Sequence, residues 1–335
     1  MHHHHVLENS ETVGRLLRLS LAAEPVSVSA ARRFVADGLS SWGRNDLLDD
    51  ATLCVSELAS NAALHTSSTF MHIAVGLHRD VVRVSVDDDG DVPAQAVTPR
   101  PSFPDPDDAV ELLLEDEATT GRGLAIVSIL ASDWGVETTP GGKRVWFEIT
   151  GTADGHGVRL PKIHDDEAVE PSEASEPMLP AGWAHVRLAG CPVRLSLRQD
   201  EHLDELIREL QLVGANRENP TLQALALELQ QLLSGPAHAR HMGRRIAQRA
   251  AAEGLEFIDV DMAMPREFSA EVQKLDMAVK AADVLCEEMR LLTLASSSDL
   301  RALRAWMTQE VVRQAQHGAA PVAWEHWLSR NAPPD

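Results

Sequence analysis

Ser56-Glu57-Leu58-Ala59-Ser60-Asn61-Ala62-Ala63-Leu64-His65 is the stretch that decides how this chain is read. Glu57, Asn61 and His65 stand at i, i+4 and i+8, so on an α-helix they line one face. A carboxylate and an amide one turn apart can hold a metal ion and a proton acceptor side by side. Further on, Val86-Asp87-Asp88-Asp89-Gly90 reads as a strand that ends in an acidic turn with a glycine. Gly121-Arg122-Gly123-Leu124 follows as a glycine-rich helix start, where free backbone N–H groups and the helix dipole attract phosphate. Carboxylate, amide, acidic turn and phosphate-binding glycines, in that order, describe a nucleotide site.

Each piece alone has a plainer explanation. Glu57 and Asn61 by themselves fit a solvated helix face. Asp87, Asp88 and Asp89 fit an ordinary acidic turn. Gly-x-Gly is frequent. The order and spacing of all three weigh against coincidence. His65 reads as a residue that caps or packs the end of its helix. Cys54, on the face away from Glu57, reads as a small core residue.

Composition bounds the rest. A chain of 335 residues suggests two domains. With 44% hydrophobic residues it can build full cores. Its net charge of −21 argues against a nucleic-acid backbone as main partner. Protein or small-molecule partners fit better. Cys54, Cys191 and Cys286 are too far apart for a disulfide framework or zinc site, so a reducing cytoplasm is expected. No apolar run approaches the ~18 residues that span a bilayer. His2 to His5 resemble part of a purification tag.

Periodicity predicts mixed α/β structure from Arg15 to Thr150. Leu16 to Leu21 alternates as a strand, and Val28 to Trp42 has helical spacing. Asp49 or Asp50 is the expected cap of the helix that carries Glu57. Met71 to Leu77 and Val81 to Val86 read as a hairpin turning at His78-Arg79-Asp80. Pro99 to Thr120 holds seven acids and one base, Arg100. Helix is expected at Gly123 to Ser132, then strands at Gly135 to Thr139 and Val145 to Thr150. Asp165 to Glu176, with six acids and no Lys or Arg, reads as a solvated linker. Beyond it come a strand pair, Ala184 to Leu188 and Val193 to Leu197, and then helices. These are expected at Leu203 to Leu212, Leu222 to Leu233, Gly243 to Ala252, Val272 to Leu292 and Leu300 to Gln316. Arg240, His241, Arg244, Arg245 and Arg249 form a basic patch, expected as a solvated helix face, with docking to an acidic surface as the alternative. Trp306, Trp324 and Trp327 are expected in the core, with packing at an interface as the alternative for Trp324 and Trp327.

The N-terminal half resembles the GHKL ATPase superfamily and, more narrowly, bacterial anti-sigma-factor serine/threonine kinases. Ser56 to His65 matches the family's N box, Asp88-Asp89-Gly90 its D-x-G box and Gly121 to Leu124 its second glycine box. Trp134-Gly135-Val136 and Gly142 to Phe147 resemble its closing strands. The implied fold of this half is a two-layer α/β sandwich of the Bergerat ATP-binding type; with the helical periodicity beyond the linker, the expected class is α+β, the sandwich followed by a mainly α-helical domain. The implied division is residues 1–10 tag and disordered N-terminus, 11–160 kinase domain, 161–180 acidic linker and 181–332 helical regulatory domain.

The resemblance also implies ATP and Mg²⁺ as cofactors. Asn61 would hold Mg²⁺, and Glu57 would be the general base. Asp88 would accept from the adenine amino group, and Gly90 would let the backbone pass the base. Gly121, Arg122, Gly123 and Leu124 would form the phosphate-binding turn, and Pro93 to Thr120 the lid. A sigma factor and its anti-sigma antagonist would be the partners, with no direct nucleic acid, no membrane and a homodimer as the family's common state. One departure is Arg144, where the family often has a threonine whose hydroxyl bonds near the adenine-binding aspartate. The competing reading is a catalytically silent GHKL module that sequesters a regulatory protein.

Overall fold

The computed structural model describes residues 15–65, 67–90, 122–151, 178–215, 220–288 and 291–331. Its Cα packing separates two compact units. The first comprises Met1–Leu19 with Ala31–Met178, the second Ser20–Ala30 with Leu179–Asp335.

The first unit contains a five-stranded sheet built on β1 (Arg15–Ala22), β2 (Phe70–His78), β3 (Val81–Asp88), β4 (Asp133–Thr139) and β5 (Gly142–Thr150). Their order is β1-β2-β3-β5-β4. α1 (Val28–Ser41), α2 (Leu48–His65) and α3 (Arg122–Leu130) complete it, the division between the units falling within β1 after Leu19 and within α1 after Ala30. The period of two in the strands decides which face is buried. Met71, Ile73 and Val75 of β2, Val82, Val84 and Val86 of β3, and Phe147 and Ile149 of β5 are all buried. α2 answers with Ala51, Cys54, Val55, Leu58, Ala59 and Ala62, a stripe at helical spacing. Fully burying one large aliphatic side chain of this kind stabilises by about 1.5–3 kcal/mol. This stripe fixes the roll of α2 and leaves Glu57 and Asn61 half-exposed beside it.

The expected elements of this unit are present, with one correction. α2 starts at Leu48 after a 3₁₀ turn over Asn45–Leu47, so Asp49 and Asp50 lie in its first turn and neither caps it. Their carboxylates complement the helix dipole there. The predicted lid, Pro93 to Thr120, and the linker, Asp165 to Glu176, lie outside the described residues.

In the second unit β6 (Trp183–Pro192) pairs antiparallel with β7 (Phe257–Pro265). Around them run α4 (Val193–Ala215), α5 (Pro220–Ser234), α6 (Ala237–Ala252), α7 (Phe268–Glu287), α8 (Ser298–His317) and α9 (Trp324–Asn331). Two expectations fail here. Val193 to Leu197 is the first turn of α4 and not a strand, and the partner of β6 is the unforeseen β7. The alternation Val193, Leu195, Leu197 has the strand period, and the buried Leu203, Leu206 and Leu210 at helical spacing show the longer run to be one helix.

Gln314 of α8 supports β6 from the side: its Oε1 accepts from the Arg187 N–H at 2.8 Å and its Nε2 donates to the Arg187 carbonyl at 2.8 Å. A side-chain amide thereby supplies the hydrogen bonds a third strand would give. Trp306 and Trp324 are buried with ring centroids 5.5 Å apart, as expected of core residues, and Trp324 stacks at 5.8 Å on Trp327, which is half-buried.

Candidate functional site

α2 and α3 bring three of the candidate residues together. A Cβ placed on Gly123 would lie 2.7 Å from Glu57 Oε2 and 3.6 Å from Asn61 Nδ2. A side chain at this position would have to push the end of Glu57 aside, so glycine lets the carboxylate rest against the first turn of α3. The N-terminal end of α3, with its unsatisfied N–H groups, therefore adjoins a carboxylate and an amide. Leu124 follows on the same turn and is half-buried. Arg122 opens the helix, while Gly121 lies outside the described residues. His65 is the last residue of α2.

Asp88 closes β3 and is buried, 4% exposed. Its Oδ1 accepts from the Ser68 hydroxyl at 3.1 Å and from the Gly90 N–H at 3.2 Å. Its Oδ2 faces Lys143 Nζ at 3.6 Å. A carboxylate with this many donors tolerates its burial. Gly90 is itself buried at the turn. Asp89 accepts from the backbone N–H groups of Thr69 and Phe70, at 2.9 and 3.2 Å. The acidic run is thus not a plain solvated turn: Asp89 ties it to the start of β2 and leaves the Asp88 carboxylate directed inward.

Arg144 takes no part in this. It stands opposite Asp87 in the β3–β5 ladder, and Lys143 stands opposite Asp88. Neighbouring strand residues point to opposite faces, so the two pairs occupy opposite sides of the sheet. Arg144 donates a bidentate pair to Asp87, Nε to Oδ1 at 2.8 Å and Nη2 to Oδ2 at 2.7 Å. The hydroxyl missing at position 144 has a counterpart in Ser68, which donates to Asp88 from the segment before β2. Ser68 and Lys143 are the participants the sequence reading left out. Ser68 has no motif around it. Lys143 could have been found from the strand register.

Gly142 is required by a close approach. A Cβ there would sit 1.9 Å from the Asp88 carbonyl oxygen, inside the backbone. Cys54 is fully buried, and burial, with the charges of Asp50 and Glu57, pushes its thiol up to about 12. It is a core residue and not a nucleophile.

The basic patch on α6 is a correction. It is not a solvated face. Arg240 and Arg244 both pair with Asp200 and Asp204 of α4, with Arg240 Nε 2.6 Å from Asp200 Oδ1. Arg245 donates to Glu24 at 2.6 Å, and His241 pairs with the same carboxylate. Arg249 stands on the exposed side of α6 and pairs with Glu253 at i,i+4. Among the described residues no cluster of His, Cys, Asp and Glu could hold a metal, and no helix is long and apolar enough to cross a membrane.

The residues that meet at this site match a known family. Residues 21–149 match the histidine kinase-like ATPase domain. No curated protein matches the chain. The matched stretch spans α1, α2, the hairpin of β2 and β3, α3 and the closing strands. Domains of this type bind ATP, usually with Mg²⁺, and the close contact at Gly123 and the inward carboxylate of Asp88 suit a phosphate chain and a base. Residues 21–149 thus match the model of a histidine kinase-like ATPase domain, which is of the GHKL type.

Proposed function

We propose that the chain is an ATP-dependent serine/threonine protein kinase of the anti-sigma type, acting as a partner switch. The observation that supports this most is the half-exposed Glu57 carboxylate, set beside Asn61 and against the N-terminal turn of α3. Asn61 would hold Mg²⁺ through its amide oxygen, and the ion supplies charge neutralisation to the phosphates when bound. Asp88 would accept from the adenine amino group, held in place by Ser68 and Lys143. The backbone N–H groups at Gly121 to Leu124 would orient the phosphates, with Arg122 as an added charge.

Glu57 would then accept the proton of a serine hydroxyl on the partner protein, as general base. The partners of this reading are a sigma factor and a small antagonist that carries the serine. A phosphate added at a packed interface separates the proteins through charge and desolvation. Cytoplasmic residence and a homodimer belong to the same reading.

The test is transfer of phosphate from γ-labelled ATP to small anti-sigma antagonist proteins. Transfer that is lost in Glu57→Ala, with ATP binding kept, supports the kinase. ATP binding without transfer to any of them supports the silent module instead.

A further inference from the structure

We infer that the second unit contains a binding cavity for a small, uncharged, largely apolar molecule that carries one amide-like group. The cavity measures about 160 Å³ and lies between β6, β7 and helices α4, α6, α7 and α8. Its walls are mainly aliphatic and thioether, with Val260, Met262 and Met264 from β7 and Met307 and Val311 from α8. An apolar cavity of this order takes up a benzene-sized guest. Methionine-rich walls adapt to the guest's shape.

One wall residue marks where the polar end of the guest would go. Gln199 of α4 is buried, 7% exposed, and neither its Nε2 nor its Oε1 has a hydrogen-bond partner. A buried amide left unsatisfied is costly, so its presence on a cavity wall calls for a ligand. The amide offers one donor and one acceptor side by side. A carboxamide on the ligand returns one of each.

The charges around the cavity indicate that the ligand is neutral. Asp200 is matched by Arg240 and Arg244. Arg304 lies 3.0 Å from Asp283 Oδ2 and 3.3 Å from Asp276 Oδ1, and Lys280 donates to Asp276 at 2.7 Å. Asp276 Oδ1 and Arg304 Nε make no hydrogen bond but answer each other's charge at 3.3 Å, so these lining charges all have counter-ions and an ionic guest would gain little to replace its hydration. Cys191 also lines the wall, and burial pushes its thiol up to about 11, which excludes a thiolate as the recognising group.

The experiment uses the full chain and three probes: benzamide, toluene and benzoate. Binding is read by ligand-observed NMR and by the shift in unfolding temperature. Benzamide is expected to bind in the millimolar range, as suits a ligand of so few atoms. Benzoate is expected to bind far more weakly. Gln199→Leu is expected to weaken benzamide about tenfold, the loss of two neutral hydrogen bonds, and to leave toluene unchanged. Gly243→Leu is expected to keep the fold, since a Cβ there meets nothing closer than Val260 at 4.0 Å, the cavity takes up the rest of the side chain, and α6 gains a better helix former. That variant fills the cavity and is expected to abolish binding of benzamide and toluene while its unfolding temperature holds or rises. Absence of benzamide binding to the unaltered chain overturns the inference. So does benzamide binding that is equal in Gln199→Leu or survives in Gly243→Leu. Neither result bears on ATP or on phosphate transfer.

Discussion

Lys143 Nζ lies 3.6 Å from the Oδ2 of Asp88, a carboxylate whose side chain is 2% exposed, and the two residues face each other in register across β3 and β5. Its neighbour in sequence, Arg144, makes a shorter and better-aligned ion pair with Asp87 on the other face. Burial and not distance decides which pair matters more. Lys143→Met leaves a buried carboxylate without its cation and is expected to cost about 1–3 kcal/mol in urea unfolding. Arg144→Met is expected to cost no more than about 1 kcal/mol and to leave ATP affinity unchanged. Equal costs for the two would contradict this account of the site.

Gly123 and Gly142 both exclude a side chain, for different reasons, and their alanine variants should part company. At Gly123 the obstacle is the end of the Glu57 side chain, which can rotate away. Gly123→Ala is expected to keep or slightly raise stability, since alanine favours a helix by about 1 kcal/mol over glycine. It is also expected to lower phosphate transfer at least tenfold if Glu57 is the base, because Glu57 is displaced. At Gly142 the obstacle is the Asp88 carbonyl, which cannot move without breaking the ladder. Gly142→Ala is expected to lose about 2 kcal/mol or more, together with nucleotide binding. Circular dichroism melts and a filter-binding assay on both proteins make the comparison.

Acid should loosen the second unit through one carboxylate. Burial alone would raise Asp283, but the His202 ring 3.8 Å away, hydrogen bonding from Ser296 and the Arg304 charge bring it from 3.8 down to about 2. Its folded value lies below the ordinary one, so its contribution is full above pH 3.8 and disappears as pH falls through about 2. That contribution is about 2 kcal/mol, since each pKa unit is worth about 1.4 kcal/mol. Asp283→Asn is expected to be less stable at neutral pH and to lose less on going to low pH. Urea unfolding at a series of pH values between these limits reads the slope; parallel curves for the two proteins would refute it.

The three cysteines should be inert in the native protein. Burial raises all three thiols, Cys54 to about 12 and Cys191 and Cys286 to about 11. Iodoacetamide at pH ~8 is expected to label none of them until the protein is unfolded, because the thiolate is the reactive form. Mass spectrometry before and after denaturation checks this.

Much of the first unit was legible because its evidence is local. The stripe from Ala51 to Ala62 sets the roll of α2, and the period of two sets the β2–β3 hairpin. The approach of Gly123 to Glu57 was implied only by family resemblance, since no periodicity links residues so far apart. What escaped notice depends on distant partners. Ser68 reaches Asp88 from outside any motif. β7 carries the strand alternation of Val260, Met262 and Met264 against Asp259 and Asp261, but its partner β6 lies far earlier in the chain, where Arg187 meets both aspartates. The α6 patch looked solvated because its acids lie on α4 and at Glu24, far away in the chain. Composition shows an excess of charge but not which charges meet.

Calorimetric titration of ATP, with and without Mg²⁺, into the full chain and into Asp88→Asn tests the central claim most directly. Micromolar binding that requires Mg²⁺ and disappears in Asp88→Asn is the expected result. No binding at millimolar ATP, or equal binding by the variant, would contradict the assignment of Asp88, Asn61 and the α3 turn to a nucleotide site.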